Sequence, residues 1–266
     1  MLIHQFPCLD DNYGFLVHDP ETGATASIDT PDAEEIERQC AARGWGLTDI
    51  WNTHWHPDHT GGNAALKAKF GLRVSGPAEV ARASAAPDRI LVEDDLLRLG
   101  ASQARVVAVG GHTTGHIAFV FDRERAAFVG DTLFSLGCGK LFEGTPQQMW
   151  WSLSKLAALP DDTMIYCAHE YTLANASFAI SVDPNNSVLR DRVAEICRMR
   201  AEGRPTVPVK LGDEKNANPF LRVRALKASI LSPGAEDCDV FAELRRRKDE
   251  FKAREGLLSA LQTAPQ

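Results

Sequence analysis

Short runs of β-branched and apolar residues recur through the first two-thirds of the chain, and their spacing predicts strands over 13–18, 24–29, 47–53, 104–109, 117–121, 126–130 and 163–168. Asp122-Arg123-Glu124-Arg125 separates two of these runs and reads as a hairpin loop. Helix signals alternate with the strands. Thr30-Pro31 reads as an N-cap with proline at the first helical position, leading into 32–42. Thr145-Pro146 opens a second helix that runs to about Leu159 before Pro160, and a third follows Gly61-Gly62-Asn63. After about residue 172 the strand signal fades. Segments 173–182, 187–202 and 236–254 carry helical spacing and are separated by proline-bearing stretches. The pattern predicts an α/β unit over 1–172 and a helical unit over 173–266, with no internal repeat.

Composition narrows the class. The chain has 266 residues, of which 44% are hydrophobic and 24% charged, values of a globular protein able to bury a sizeable core. Lys and Arg total 29 against 36 Asp and Glu, a net charge of −7, which argues against bulk nucleic-acid binding. The six cysteines are scattered without a CxxC pair, so neither a disulfide framework nor a thiolate zinc knuckle is expected. No apolar run approaches the roughly 18 residues of a membrane span, and the opening residues lack the pattern of a secretion signal. The expectation is a soluble, cytoplasmic, monomeric protein.

Asn52-Thr53-His54-Trp55-His56-Pro57-Asp58-His59-Thr60-Gly61-Gly62 places four metal-competent side chains within six positions, just past a predicted strand. In extended chain His54 and His56 point the same way, about 7 Å apart, and Pro57 keeps His56 out of the helical region. The chain then turns, so Asp58 and His59 can serve a neighbouring position. Three further candidates stand at strand ends: His112 in Gly110-Gly111-His112-Thr113-Thr114-Gly115-His116, Asp131 after Gly130, and His169 in Cys167-Ala168-His169-Glu170. One ion can take three histidines plus a shared carboxylate, and another two carboxylates and two histidines, so the ligand total fits two ions. His116 reads as a support behind His112, which already occupies the strand exit. Glu170 is either a support or a solvated acid. His4 and His18 read as structural, and no cysteine is needed as a ligand.

The Thr53–His59 run, taken with His112, Asp131 and His169, resembles the metallo-β-lactamase superfamily. That resemblance implies an αββα sandwich with a binuclear site at one edge of two packed sheets. It further implies that His54, His56 and His112 hold one ion, that Asp58, His59 and His169 hold the other, and that Asp131 bridges them. Gly137-Cys138-Gly139-Lys140-Leu141-Phe142-Glu143-Gly144, Ala168-His169-Glu170-Tyr171-Thr172, Asn218-Pro219-Phe220-Leu221-Arg222 and Arg245-Arg246-Arg247-Lys248-Asp249-Glu250-Phe251 extend the likeness. Together they resemble the glyoxalase II, or hydroxyacylglutathione hydrolase, family over nearly the whole chain. The implied ligand contacts are Lys140, Tyr171, Arg245 and Lys248, with Phe142 standing where many members carry tyrosine. The 245–248 basic run suits an anionic ligand such as glutathione, although alone it would read as a solvated helix face.

The implied reaction is hydrolysis of S-(2-hydroxyacyl)glutathione thioesters, S-D-lactoylglutathione giving D-lactate and glutathione, as in methylglyoxal detoxification. Two divalent ions lower the pKa of a shared water from about 15.7 toward about 7, and Asp58 and Asp131 act as ligands holding the resulting hydroxide rather than as general bases. A thiolate with an ordinary pKa of about 8.5 leaves without a strong acid. Imidazole and carboxylate ligands suit zinc, the expected metal, and also iron and manganese. The rival readings are a glutathione persulfide dioxygenase with a single iron, and a non-catalytic module that binds glutathione or metal.

Overall fold

The computed structural model describes residues 1–83 and 85–252, so the last two positions of the helix expected over 236–254, and the rest of the unit expected to reach 266, lie outside the described residues. One six-stranded sheet runs β1 (Leu2–Cys8), β2 (Asn12–His18), β3 (Thr25–Ile28), β4 (Asp49–Trp51), β5 (Arg73–Gly76), β6 (Arg89–Ile90) in spatial order. Its first three strands pair antiparallel and the rest parallel. The second sheet contains β7 (Leu96–Leu99), β8 (Ser102–Ala108), β9 (Ile117–Phe121) and β10 (Ala126–Gly130). A separate small hairpin, β11 (Leu133–Phe134) with β12 (Gly137–Cys138), follows, and β13 (Met164–Cys167) and β14 (Val209–Lys210) complete the second sheet.

The two sheets face one another through aromatic side chains. Phe15 meets Phe128 edge-on at 5.4 Å, and Trp51 lies 5.5 Å from Phe119 and 6.2 Å from Phe121. Strand alternation sends the neighbouring Ile50 to the opposite face, where it packs with Ile36, Cys40 and Leu66 of α1 (Ala33–Arg43) and α3 (Asn63–Phe70). Each such large side chain contributes about 1.5–3 kcal/mol on burial, which fixes the register of every strand that carries one. Between those helices lies the single turn α2 (Pro57–Thr60). On the far side, α4 (Pro146–Ala157) packs with α9 (Asp237–Glu250), joining α5 (Thr172–Val182), α6 (Ser187–Ala201), α7 (Leu211–Ala217) and α8 (Val223–Ile230). The layers are helix, sheet, sheet, helix, as the resemblance implies.

Several local expectations change. Helix α1 is capped by Asp32, whose carboxylate accepts the Glu35 N–H at 2.8 Å, and not by Thr30. Thr30 is already engaged: its hydroxyl donates to Asn63 and its carbonyl accepts the Gly62 N–H. The Thr145 cap holds, closed by a reciprocal bond with Gln148. A strand also occurs where helices alone were expected. β14 pairs antiparallel with β13, so the C-terminal half adds a strand to the second sheet.

Candidate metal centre

Each candidate ligand sits just past the end of a strand, where backbone pairing stops and side chains are free to converge. His54 follows β4, and α2 then turns Asp58 and His59 back toward it. His112 lies in the loop after β8, Asp131 directly follows β10, and His169 follows β13. Gly130 has a φ of +48°, and a β-carbon there would lie 2.7 Å from the His116 ring, so glycine alone lets the chain present Asp131.

Two ligand sets result. In the first, His56 Nδ1 lies 3.0 Å from both His54 Nε2 and His112 Nε2, and Asp131 Oδ2 is 3.3 Å from His112 Nε2. In the second, His59 Nε2 and His169 Nε2 are each 3.3 Å from Asp58 Oδ2 and 3.4 Å from Asp131 Oδ1. Asp131 therefore turns one oxygen to each set. Donor atoms at about 2.0–2.2 Å around a tetrahedral cation lie roughly 3.3–3.6 Å apart, close to the separations seen here.

The outward-facing ring atoms fix which nitrogen is free. His59 Nδ1 donates to Asp29 Oδ2, His169 Nδ1 to Asp11 Oδ1 and His112 Nδ1 to the Lys140 carbonyl, each at 2.8 Å. The Thr53 hydroxyl donates to Asp29, so it accepts from His54 Nδ1 at 3.0 Å. Hydrogen bonding thus engages Nδ1 of all four rings and leaves Nε2 as the inward-facing atom, the one a cation would take. Buried His59 Nε2 and Asp131 Oδ1 have no hydrogen-bond partner. Orphaned buried atoms are costly, and a cation between them would satisfy both.

Charge follows the same division. Burial, then neighbouring imidazoles, holds His54 and His56 below the ordinary histidine range; burial also lowers His112, so the first set is neutral. Burial opposes charge on His59 and His169, but Asp131 with Asp29 or Asp58 outweighs it: His59 is raised well above its usual value and His169 to about 10. Burial likewise opposes ionisation of Asp58 and Asp131, yet His169 and His59 drive both below the usual carboxylate range. The second set therefore demands positive charge, which protons supply where ions do not.

Sequence reasoning missed the residues that aim the ligands. Asp29 directly follows β3 with a φ of +59° and takes bonds from Thr53 N, the Thr53 hydroxyl and His59. It lies within reach of His54 and His59 as a third possible ligand set, but those three bonds occupy its oxygens. Its signal was legible, an acid directly after an apolar strand, as at Asp131. Asp11 and Asn12, whose amide donates to Asp58 Oδ2 at 3.1 Å, carry no such signal. His116 is buried, stacks on His54 at 4.5 Å and accepts the Asp131 N–H at 3.1 Å through Nε2. Glu170 accepts from Tyr13 and Thr206 and stands behind His169. His18 stacks on Trp45 at 4.3 Å, and His4 bonds Gln39.

The expected ligand contacts fall into two groups. Phe142 is 61% exposed and stands edge-on to His56 and His112, with Lys140 Nζ 5.3 Å from its ring. Tyr171 stacks on His169 at 4.7 Å. These three rim the metal sets. Arg245 is buried behind them, donating to the Cys138 carbonyl at 2.9 Å and to Asp249 at 2.7 Å. Lys248 is half-buried and donates to the Ala174 carbonyl; burial, then the Arg245 charge, lowers its pKa to about 8.

Residues 23–169 match the metallo-beta-lactamase superfamily model, and residues 170–251 match the model for the hydroxyacylglutathione hydrolase C-terminus. The hydroxyacylglutathione hydrolase of Maricaulis maris is 52% identical over 253 residues, 94% of this chain and 99% of that protein. Its counterpart in Erythrobacter litoralis is 51% identical over 249 residues, again 94% of this chain and 99% of the relative. The crystal structure of ETHE1 from Myxococcus xanthus aligns with a TM-score of 0.66 over 98% of this chain and 96% of that one; at 24% identity it speaks to the fold alone. Because the relatives cover 94% of the chain and both family models meet next to the candidate ligand His169, the chain belongs to the hydroxyacylglutathione hydrolase (glyoxalase II) family of the metallo-beta-lactamase superfamily.

Proposed function

We propose that this protein hydrolyses S-(2-hydroxyacyl)glutathione thioesters, releasing D-lactate and glutathione from S-D-lactoylglutathione. The observation that carries the reading is Asp131, whose two oxygens face two separate ligand sets, within a chain about half identical to hydroxyacylglutathione hydrolases. His54, His56 and His112 would hold one divalent ion, Asp58, His59 and His169 a second, with Asp131 common to both. Such ions supply Lewis acidity toward a carbonyl oxygen and a lowered pKa for water. Zinc suits these donors, as do iron and manganese.

The chain's own groups do the rest. Asp11, Asp29 and the Lys140 carbonyl keep three imidazoles in the tautomer that leaves Nε2 free. Lys140 at the rim offers a cation to a glutathione carboxylate. Burial, then the negative charges of Asp11 and Asp131, keep the Tyr171 phenol protonated, so it remains a hydrogen-bond donor. Burial raises the thiols of Cys138 and Cys167 to about 11 and about 12, which disfavours a cysteine nucleophile and suits direct attack by water. The proposed division of labour puts all seven metal ligands within 1–172 and assigns Arg245 and Lys248, within 173–266, to the glutathione side.

The test is loss of S-D-lactoylglutathione thioester absorbance with the purified protein, paired with elemental analysis of the same sample. Turnover with two metal equivalents per chain is expected. Oxygen consumption with glutathione persulfide and one iron per chain would replace the reading with a dioxygenase, and glutathione binding without thioester turnover would replace it with a binding module.

A further inference from the structure

Between the ligand Asp131 and the rim residue Lys140 hangs the β11–β12 hairpin, and its turn is held almost entirely by side chains from the C-terminal half. The Glu214 carboxylate of α7 accepts the Leu136 N–H at 2.8 Å and lies 3.4 Å from the Ser135 hydroxyl. The two Asn218 amide hydrogens serve the Gly137 carbonyl at 2.9 Å and Glu214 at 2.8 Å, with the Phe134 carbonyl at 3.1 Å sharing one of them. Asn175 of α5 donates to the Ser135 carbonyl at 3.1 Å. Leu136 has a φ of +56°, a strained conformation for a branched apolar residue, which these bonds over-determine.

A buried turn must find partners for its backbone groups, and neutral amides serve for the carbonyls. The Leu136 N–H needs only an acceptor, which glutamine would also provide. A carboxylate with 1% exposure is an expensive choice for that bond alone; what the ionised form adds is a second acceptor oxygen, so that donors from Leu136, Asn218 and Ser135 all converge on it. The hairpin it holds leads through Gly139, whose N–H bonds the Thr132 carbonyl, to the Lys140 carbonyl on His112 and to the Phe142 N–H on the His112 carbonyl.

The geometry points to Glu214 as a positioning residue: in its ionised form it locks the β11–β12 turn and so sets Lys140 and Phe142 for the glutathione thioester. This rests on the proposed function for the identity of the thioester. Burial raises the Glu214 pKa to about 7, opposed by the bonds from Leu136 and Asn218 and by the Arg192 charge of α6. Arg192 and, on β13, the Cys167 thiol are titratable groups that act on it; the α5 and hairpin-turn side chains in this network are the neutral Asn175 and Ser135, and Cys138 is the hairpin's titratable group. On α7 itself Asp213 is exposed and Lys215 reaches away to Asp161.

The metal-loaded full chain provides the test. KM for S-D-lactoylglutathione is expected to rise about fivefold between pH 8 and pH 6, with kcat changing less. In Glu214→Gln the KM is expected to be high and flat across that range. Amide hydrogen exchange of the 133–142 segment, corrected for its intrinsic pH dependence, is expected to quicken about tenfold in Glu214→Gln, and in the unsubstituted protein at pH 6 relative to pH 8, while β8 and β9 stay unchanged. An unaltered KM profile in Glu214→Gln, or equal protection of 133–142 at both pH values, overturns the assignment. The exchange measurement needs no turnover, so it decides the role of Glu214 even if the proposed reaction fails, and its pH comparison needs no variant to fold.

Discussion

Asp29 accepts the Nδ1 proton of His59 at 2.8 Å and, with the same carboxylate, the N–H and hydroxyl of Thr53. Through that hydroxyl it also reaches His54 Nδ1, so one acid behind the site orients a ligand from each set. Asp11 contacts only His169 in this way. Outer partners of this kind are worth about 10–100-fold in metal affinity. Asp29→Ala is therefore expected to weaken both metals by about that factor, whereas Asp11→Ala weakens one. Competition with a chromophoric chelator resolves the two steps. Equal effects from the two variants would show that the Thr53 relay carries nothing.

Metal binding should expel protons unequally. With His59 raised well above its ordinary value and His169 at about 10, both are charged at pH 7.5 in the metal-free chain, while His54, His56 and His112 are neutral. Calorimetric titration with zinc at pH 7.5, in buffers of different ionisation enthalpy, should show nearly two protons released on filling the Asp58–His59–His169 set and almost none on filling the other. The sign extends to stability. A histidine whose folded pKa is raised stabilises fully below its unfolded pKa of about 6.5, and that contribution disappears as pH rises through the folded value. The metal-free chain should thus lose stability between about pH 6.5 and 10, and the loaded chain much less, in urea titrations of each.

The candidate ligands were legible because metal chemistry restricts residue type and because strand ends place them: His54 to His59 lie in one short run, and His112, Asp131 and His169 each follow an apolar strand. The aromatic faces of β2, β4, β9 and β10 were legible for the same reason, since alternation and burial write directly into sequence. What stayed hidden depends on distant partners. Asp11 supports His169 across 158 positions of sequence, and Glu214 supports Leu136 across 78, with no local pattern to announce either. The strand β14 has two residues and exists only because β13 offers an edge. Thr30 lost its capping role to Asp32 because Asn63 and Gly62 claimed its polar groups from another helix.

Arg245 and Lys248 lie one turn apart on α9, yet their surroundings predict different failures. Arg245 is 6% exposed, paired with Asp249 and bonded to the Cys138 carbonyl next to Gly139. Arg245→Ala strands that buried carbonyl and removes the partner of the exposed Asp249, an expected loss of about 1–3 kcal/mol in urea unfolding together with a higher KM. Lys248 makes one bond to the Ala174 carbonyl, so Lys248→Ala should cost about 1 kcal/mol or less. Its KM for glutathione thioesters should rise severalfold, with little change for small uncharged thioesters. A Lys248→Ala variant that affects both substrate types equally would remove Lys248 from the glutathione side.

Gly139 is where the hairpin presses on the centre. A β-carbon there would lie 1.9 Å from the Asp131 carbonyl oxygen and 3.3 Å from the His112 β-carbon, both belonging to candidate ligands. Backbone cannot swing aside as a long side chain would, so Gly139→Ala must push β12 away from Asp131 or move Asp131 itself. Overpacking of this kind costs about 1–3 kcal/mol. The displacement also carries the Lys140 carbonyl off His112 Nδ1, freeing that ring to rotate. The expected outcome is a protein that still folds, with a lower urea midpoint, weakened binding in the His54–His56–His112 set and loosened sharing of Asp131. Elemental analysis after dialysis should find fewer than two metals per chain. Retention of two metals at full affinity, with stability unchanged, would mean that the hairpin can retreat without disturbing the ligands it touches, and that the contact between Gly139 and Asp131 does not help to shape the centre.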